Sequence, residues 1–210
     1  MVDKISSWKY TEDFHQEPEV IARARARAEE MGIESITPSV GATLAVLVAS
    51  MNAKAIVEVG TGAGVSGLWL QSGNSTSVLA TIDPEIQHQD LAKLAFEQAG
   101  IASTRLRLIN GRSSEVLINL ADEAYDLVLL DGEIDSLLSQ VKESLRLLRP
   151  GGVLVIPHAL WRDRVPDQVL RDEITEEFRT VLQFINNNEL FVATLSTIGD
   201  GLLIASKKLA

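Results

Sequence analysis

The stretch Ala55-Ile56-Val57-Glu58-Val59-Gly60-Thr61-Gly62-Ala63-Gly64-Val65-Ser66-Gly67 decides the fold. Its first five residues read as a buried strand, and the glycines after them read as a tight turn into a helix. Gly62, Gly64 and Gly67 satisfy the G-x-G-x-x-G spacing of dinucleotide-binding turns. Glycines let a ligand approach the backbone, and the N-terminus of the next helix offers unpaired N–H groups. Those properties serve any nucleotide-like ligand. Glu58, two positions before the first glycine, separates the candidates. A carboxylate there is unfavourable beside a pyrophosphate and favourable beside a ligand carrying an ammonium and a sulfonium.

Moving outward, the chain alternates. Further short apolar runs stand at 78–82, 105–109, 126–130 and 153–156, separated by segments with helical periodicity such as 86–99, closed by Gly100, and 137–148, closed by Pro150-Gly151-Gly152. Five strand units joined by helices predict a parallel sheet covered on both faces. A long helical segment at 168–185 then precedes runs at 190–196 and 202–206, joined through Ile198-Gly199-Asp200-Gly201, which reads as a hairpin. The expected class is therefore α/β: a Rossmann-like, seven-stranded, mostly parallel sheet with a C-terminal antiparallel hairpin. Upstream, Thr37-Pro38 opens a helix with the stripe Val40, Leu44, Leu47, Val48 and Met51, and 18–31 reads as a solvated Arg- and Ala-rich helix. Residues 1–36 read as a helical extension and 37–210 as the main domain.

Composition narrows the function. The 210 residues are 46% hydrophobic and 23% charged, an ordinary globular balance, and no run reaches the roughly 18 apolar residues of a membrane span. With 19 Lys and Arg against 29 Asp and Glu, the formal net charge is −10, which opposes a nucleic-acid partner. The polar first ten residues lack a secretory apolar region, and the absence of cysteine removes disulfides and thiolate zinc sites, as suits a cytoplasmic chain.

In this order, 57–70, 81–84, Asn110-Gly111-Arg112-Ser113-Ser114, 125–131 and 147–152 make the sequence resemble the class I S-adenosylmethionine-dependent methyltransferases, and more narrowly the catechol and caffeoyl-CoA O-methyltransferases. The resemblance implies S-adenosylmethionine as cofactor and a small-molecule acceptor. It puts the Val40 N–H, with Ser66, on the methionyl carboxylate, and Glu58, Gly60 and Thr61 along the methionyl and sulfonium region. Asp83 would take the ribose hydroxyls, Pro84 and Ser113 the adenine, and Asp131 the methionine ammonium and the reaction centre. Plainer readings stand beside these: Ser113 and Asp131 as helix caps, and Asp83 as the start of a turn.

The metal-dependent members resembled carry three magnesium ligands. Asp131 matches the first; the other two fall on Pro157 and His158, and the family's catalytic lysine falls on Ile134. Proline has no ligand and imidazole suits softer ions, so the reading is of a transferase without magnesium, with Asp131 and His158 at the chemistry. Asp131, Glu133 and His158 offer an alternative metal site. Trp161, Arg162 and Arg164 would supply an aromatic wall and a cation for an acidic or phenolic acceptor, or form a surface loop. His15 and His88 are expected to lie away from the pocket. A homodimer is expected because related O-methyltransferases pair, with Trp8, Tyr10 and Phe14 buried in the contact or closing over the pocket. Two other readings compete: a catalytically impaired S-adenosylmethionine-binding regulatory protein on the same scaffold, and an NAD(P) dehydrogenase, which Glu58 and the hairpin oppose.

Overall fold

The computed structural model describes residues 4–209. Three helices precede the sheet: α1 (Lys4–Glu12), α2 (Glu19–Glu30) and α3 (Pro38–Met51). Thr37 caps α3, its Oγ1 accepting from the Val40 N–H, and Pro38 takes the first turn, where no intrahelical N–H is needed. Strands and helices then alternate through β1 (Ala55–Val59), α4 (Val65–Gly73), β2 (Val78–Asp83), α5 (Ile86–Gln98), β3 (Leu106–Asn110) and the single-turn α6 (Ser113–Val116). They continue through β4 (Tyr125–Leu130), α7 (Leu137–Leu147) and β5 (Leu148–Ile156), and end with α8 (Glu173–Asn187), β6 (Phe191–Ser196) and β7 (Leu202–Lys207).

The seven strands run in the order β3-β2-β1-β4-β5-β7-β6, with β7 antiparallel to both β5 and β6. The expected sheet is thus present, and the last hairpin folds back so that its second strand takes the inner position. Alternation along the strands splits the core. Ile56, Leu127, Leu129 and Val155 face α2, α3, α4 and α5, while Val57, Val128, Leu130 and Ile156 face α7 and α8. Each such fully buried side chain contributes about 1.5–3 kcal/mol relative to exposure. Chain order reverses between β1 and β4, and open α/β sheets bind ligands outside the carboxyl ends of strands at such a point.

Two boundaries moved. β5 starts at Leu148, directly after α7, rather than at 153, because a register irregularity against β4 between Tyr125 and Leu127 accommodates Pro150. The last helix starts at Glu173, where the Asp172 side chain caps it, rather than at 168. Trp8, Tyr10 and Phe14 stay 47%, 71% and 67% exposed; none lines a cavity at the ends of β1 and β4, and Trp8 instead borders a groove beside Thr37, Leu160 and Asp200. Among the described residues no helix is long and apolar enough to cross a membrane.

Candidate functional site

The glycine turn lets two strand ends meet. Gly60 has φ +92°, and a Cβ there would lie 2.2 Å from the Asp131 carbonyl oxygen, so only glycine lets β1 pass the end of β4 this closely. Gly64, at φ +84°, begins α4 in the left-handed conformation. Beneath this turn Glu58 is fully buried: Ser66 Oγ donates to its Oε1 at 2.6 Å and Thr81 Oγ1 to its Oε2 at 2.6 Å. Thr61 Oγ1 lies 2.7 Å from Thr81 Oγ1 and completes a chain of hydroxyls leading to the carboxyl. Burial pushes Glu58 up from 4.5 to about 7; the two hydroxyls oppose the rise, and the charges of Asp131 and Asp83 add to it.

Above the turn lies a cavity of about 290 Å³ between the α2–α3 loop and the ends of β1, β2 and β4. Gly60, Thr61, Ser66, Asp83, Pro84, Ser113 and Asp131 all line it. Val40 and Glu58 do not: Val40 is buried with its N–H on Thr37 Oγ1 at 3.4 Å, and Glu58 sits behind the wall with Ser66 turned towards it. The Asp83 carboxylate is held from several sides. Oδ2 accepts from the Gly62 N–H at 3.1 Å and Oδ1 from the Glu85 N–H at 2.9 Å, which also makes Asp83 the start of a turn. His88 Nδ1 lies 3.2 Å from Oδ2, and His88 lines the cavity. The expectation that His88 stands apart is therefore corrected: one turn into α5, its ring folds back over the end of β2. Ser113 does not cap α6 through its side chain; Oγ donates to Glu133 Oε2 at 2.8 Å.

Sequence reasoning missed the loop of Ile33, Glu34, Ser35 and Ile36, which forms the near wall. Its only sequence signal is Gly32, read there merely as a helix stop.

A second, smaller cavity of about 40 Å³ adjoins the first and shares Asp131 and Gly132 with it. Ile134, Leu137, Pro157, Trp161 and Phe178 make it apolar, with His158 at one end. Trp161 stacks on Phe178 at 5.6 Å between ring centroids. Burial pushes Asp131 up from 3.8 to about 6; the His158 ring opposes this and the Glu34 charge adds to it. His158 Nε2 lies 3.6 Å from Asp131 Oδ1, and Nδ1 lies 3.7 Å from Asp200 Oδ2.

The expected aromatic wall is Trp161, and the Arg162 guanidinium lies over its ring at 5.2 Å from the centroid, outside both cavities. Arg162 turns out to Glu34 at 2.7 Å and Arg164 to Asp172 at 2.7 Å, and no Lys or Arg among the described residues lines either cavity. The alternative metal cluster does not assemble either. Glu133 is committed to Ser113 and faces Arg112 at 3.6 Å, and among the described residues no three His, Asp or Glu side chains are grouped to hold an ion. A single buried carboxylate beside a proline and an imidazole does not fit magnesium, which needs several hard oxygen ligands.

A family model for O-methyltransferases matches residues 12–208. A curated relative from Mycobacterium sp. (strain JLS), named provisionally as an O-methyltransferase, is 47% identical over 199 residues, 94% of this chain and 90% of its own. A solved structure of a Corynebacterium glutamicum protein superposes with TM-score 0.91 at 30% identity, covering 99% of both chains. The O-methyltransferase from Bacillus cereus, solved with S-adenosylhomocysteine, shares the fold at TM-score 0.86 and 23% identity, covering 97% of both chains.

Proposed function

The chain belongs to the O-methyltransferase family, and from that premise we propose that it transfers a methyl group from S-adenosylmethionine to the hydroxyl of a small, uncharged, phenol-like acceptor. The observation that carries this reading is the shared wall: a cavity floored by the glycine turn opens at Asp131 and Gly132 onto an apolar slot that ends at His158. Two ligands meeting at one wall are what a group transfer requires.

S-adenosylmethionine supplies a methyl group made electrophilic by its sulfonium sulfur. In this reading Asp83 accepts from the ribose hydroxyls, with Pro84 and Ser113 beside the adenine. Gly60, Thr61 and the buried Glu58 flank the methionyl end, and Asp131 meets the ammonium. Val40 N–H and Ser66 Oγ are engaged by Thr37 and Glu58, so holding the methionyl carboxylate requires both to change partners. Trp161 and Phe178 hold the acceptor ring, and the absence of a lining cation favours an uncharged one. His158 takes the acceptor's proton at Nε2 while the oxygen lone pair forms the new bond to carbon and the carbon–sulfur electron pair returns to sulfur. No step uses a metal. The protein works as a cytoplasmic homodimer, with 1–36 as an extension to the catalytic region 37–210.

Calorimetric titration with S-adenosylhomocysteine, followed by turnover across a panel of phenols and catechols, tests the proposal. Tight binding with turnover supports it. Binding without turnover on any acceptor would favour the regulatory reading, which the reduced metal set motivates. Failure to bind, or preference for NAD, would overturn the cofactor assignment.

A further inference from the structure

His158 is placed unusually. It is one of the few non-glycine residues with positive φ, at +57°, and it stands where β5 ends. Its Nδ1 is buried and has no hydrogen-bond partner, although an imidazole N–H so enclosed needs an acceptor. Asp200 Oδ2 faces it at 3.7 Å, an ion-pair separation just beyond hydrogen-bond range. Nε2 points the other way, towards Asp131 and the acceptor slot.

Asp200 is in turn fixed. The Arg162 N–H donates to its Oδ1 at 2.6 Å and Oδ2 at 2.8 Å. Main-chain bonds join the β6–β7 loop to the segment after β5, from Ala159 N–H to Gly201 O at 2.9 Å and from Leu160 N–H to Asp200 O at 3.0 Å. A Cβ on Gly201 would lie 2.5 Å from Leu160 N, so the loops can approach this closely only at glycine. On the far side, Glu12 Oε1 accepts from the Gly199 N–H at 2.9 Å and ties α1 to the same loop.

We propose that Asp200 is the positioning residue for His158: its carboxylate takes the Nδ1–H and so leaves the Nε2 lone pair facing the acceptor hydroxyl. The choice of nitrogen matters because a neutral imidazole carries one proton, and only the unprotonated nitrogen can act as base. Asp131 cannot serve the same purpose, since it faces Nε2 and would fix the opposite tautomer. Bonds of this kind are commonly long without substrate and shorten when it binds. The inference rests on His158 being the base, and it extends the site to a loop that lines neither cavity fully described above.

The test has two independent readouts. With three histidines in the chain, the ¹⁵N imidazole spectrum of the protein bound to S-adenosylhomocysteine is readily assigned through His158→Gln. Neutral His158 should be the Nδ1–H tautomer, and Asp200→Asn should shift it towards Nε2–H. In turnover, Asp200→Asn should lower kcat by about 100-fold or more, within the usual range for general-base catalysis. Acceptor KM and S-adenosylhomocysteine affinity should stay unchanged, and Asp200→Glu should restore part of the rate. An Nε2–H tautomer in the unaltered protein overturns the inference, as does an unchanged kcat. Loss of S-adenosylhomocysteine affinity along with kcat would also overturn it, assigning Asp200 to loop folding. If no acceptor turns over, the function fails while the tautomer still decides the positioning.

Discussion

Replacing Glu58 with Gln should abolish part of the protein's pH-dependent stability. The carboxyl is raised from 4.5 to about 7, chiefly by burial. Between those values the folded chain holds a proton that the unfolded chain releases, so stability is fully present below about 4.5 and falls as pH rises through about 7. The rise corresponds to about 3 kcal/mol, at about 1.4 kcal/mol for each tenfold change in proton affinity. Gln has nearly the same shape. Its oxygen can accept from Ser66 or Thr81, and the other hydroxyl can rotate to accept from the new amide, with the Thr81–Thr61 pair reversing its donor. Asp131, raised from 3.8 to about 6, titrates in both proteins and largely cancels when the variant is compared with its parent. Urea unfolding at fixed ionic strength, without cofactor, from pH 4.5 to 8 measures the comparison. The stability of Glu58→Gln relative to the parent should climb by about 3 kcal/mol across that range, with most of the change before pH 7.5. A difference that stays flat within about 0.5 kcal/mol, the scatter of additive comparisons, would refute the argument that burial holds a proton on Glu58.

Asp83→Ala should weaken S-adenosylhomocysteine binding by at least about tenfold in calorimetry, since charged hydrogen bonds contribute about 1.5–3 kcal/mol each; undiminished affinity would remove Asp83 from the ribose site. Gly60→Ala should destabilise the chain by more than the about 1–3 kcal/mol of backbone strain alone, because its methyl would meet the Asp131 carbonyl, and a wild-type urea midpoint would contradict the close approach of β1 and β4. EDTA should leave turnover intact while His158→Ala lowers it by about 100-fold or more; activity lost to EDTA and restored by zinc or manganese would return a metal to Asp131. Light scattering at micromolar concentration should give twice the 22.8 kDa of one chain, and a mass near 22.8 kDa would rule out the dimer.

The parts of the fold that were legible in the sequence are those fixed by local periodicity and by strong breakers. Runs such as 127–130 are apolar on both faces, as a strand covered by helices on each side must be, and Gly100, at φ +69°, ends α5 where its geometry demands. What could not be read depends on partners distant in sequence. Pro150 reads as a stop, and it enters β5 only because the register against β4 slips beside it. His88 looks like a surface residue of a polar helix until the end of β2 places Asp83 beneath it. Asp200 reads as turn chemistry between two glycines, and its meeting with His158 requires β7 to lie against β5, a pairing that no periodicity encodes. Arg162 and Arg164 carried the right charge for an acidic acceptor, but Glu34 and Asp172, on other elements, had already claimed them.

The division of labour within the site follows from the same topology. Val59 and Leu130 are register partners, and the Asp131 N–H donates to the Val59 carbonyl at 2.9 Å, so the ends of β1 and β4 are fixed to each other by the sheet itself. Asp131 therefore cannot drift relative to the glycine turn, and in the proposed reading a cofactor on that turn and an acceptor at His158 would share a wall whose position is set by core strands. The rest of the smaller cavity, the proposed acceptor slot, comes from the segment after β5 and from α8, where Trp161 and Phe178 stack. Acceptor preference should then vary among relatives with the residues at 157–161 and 178, while binding of the cofactor follows 58–66 and Asp83. The two properties are separable because one is built on the sheet and the other beside it.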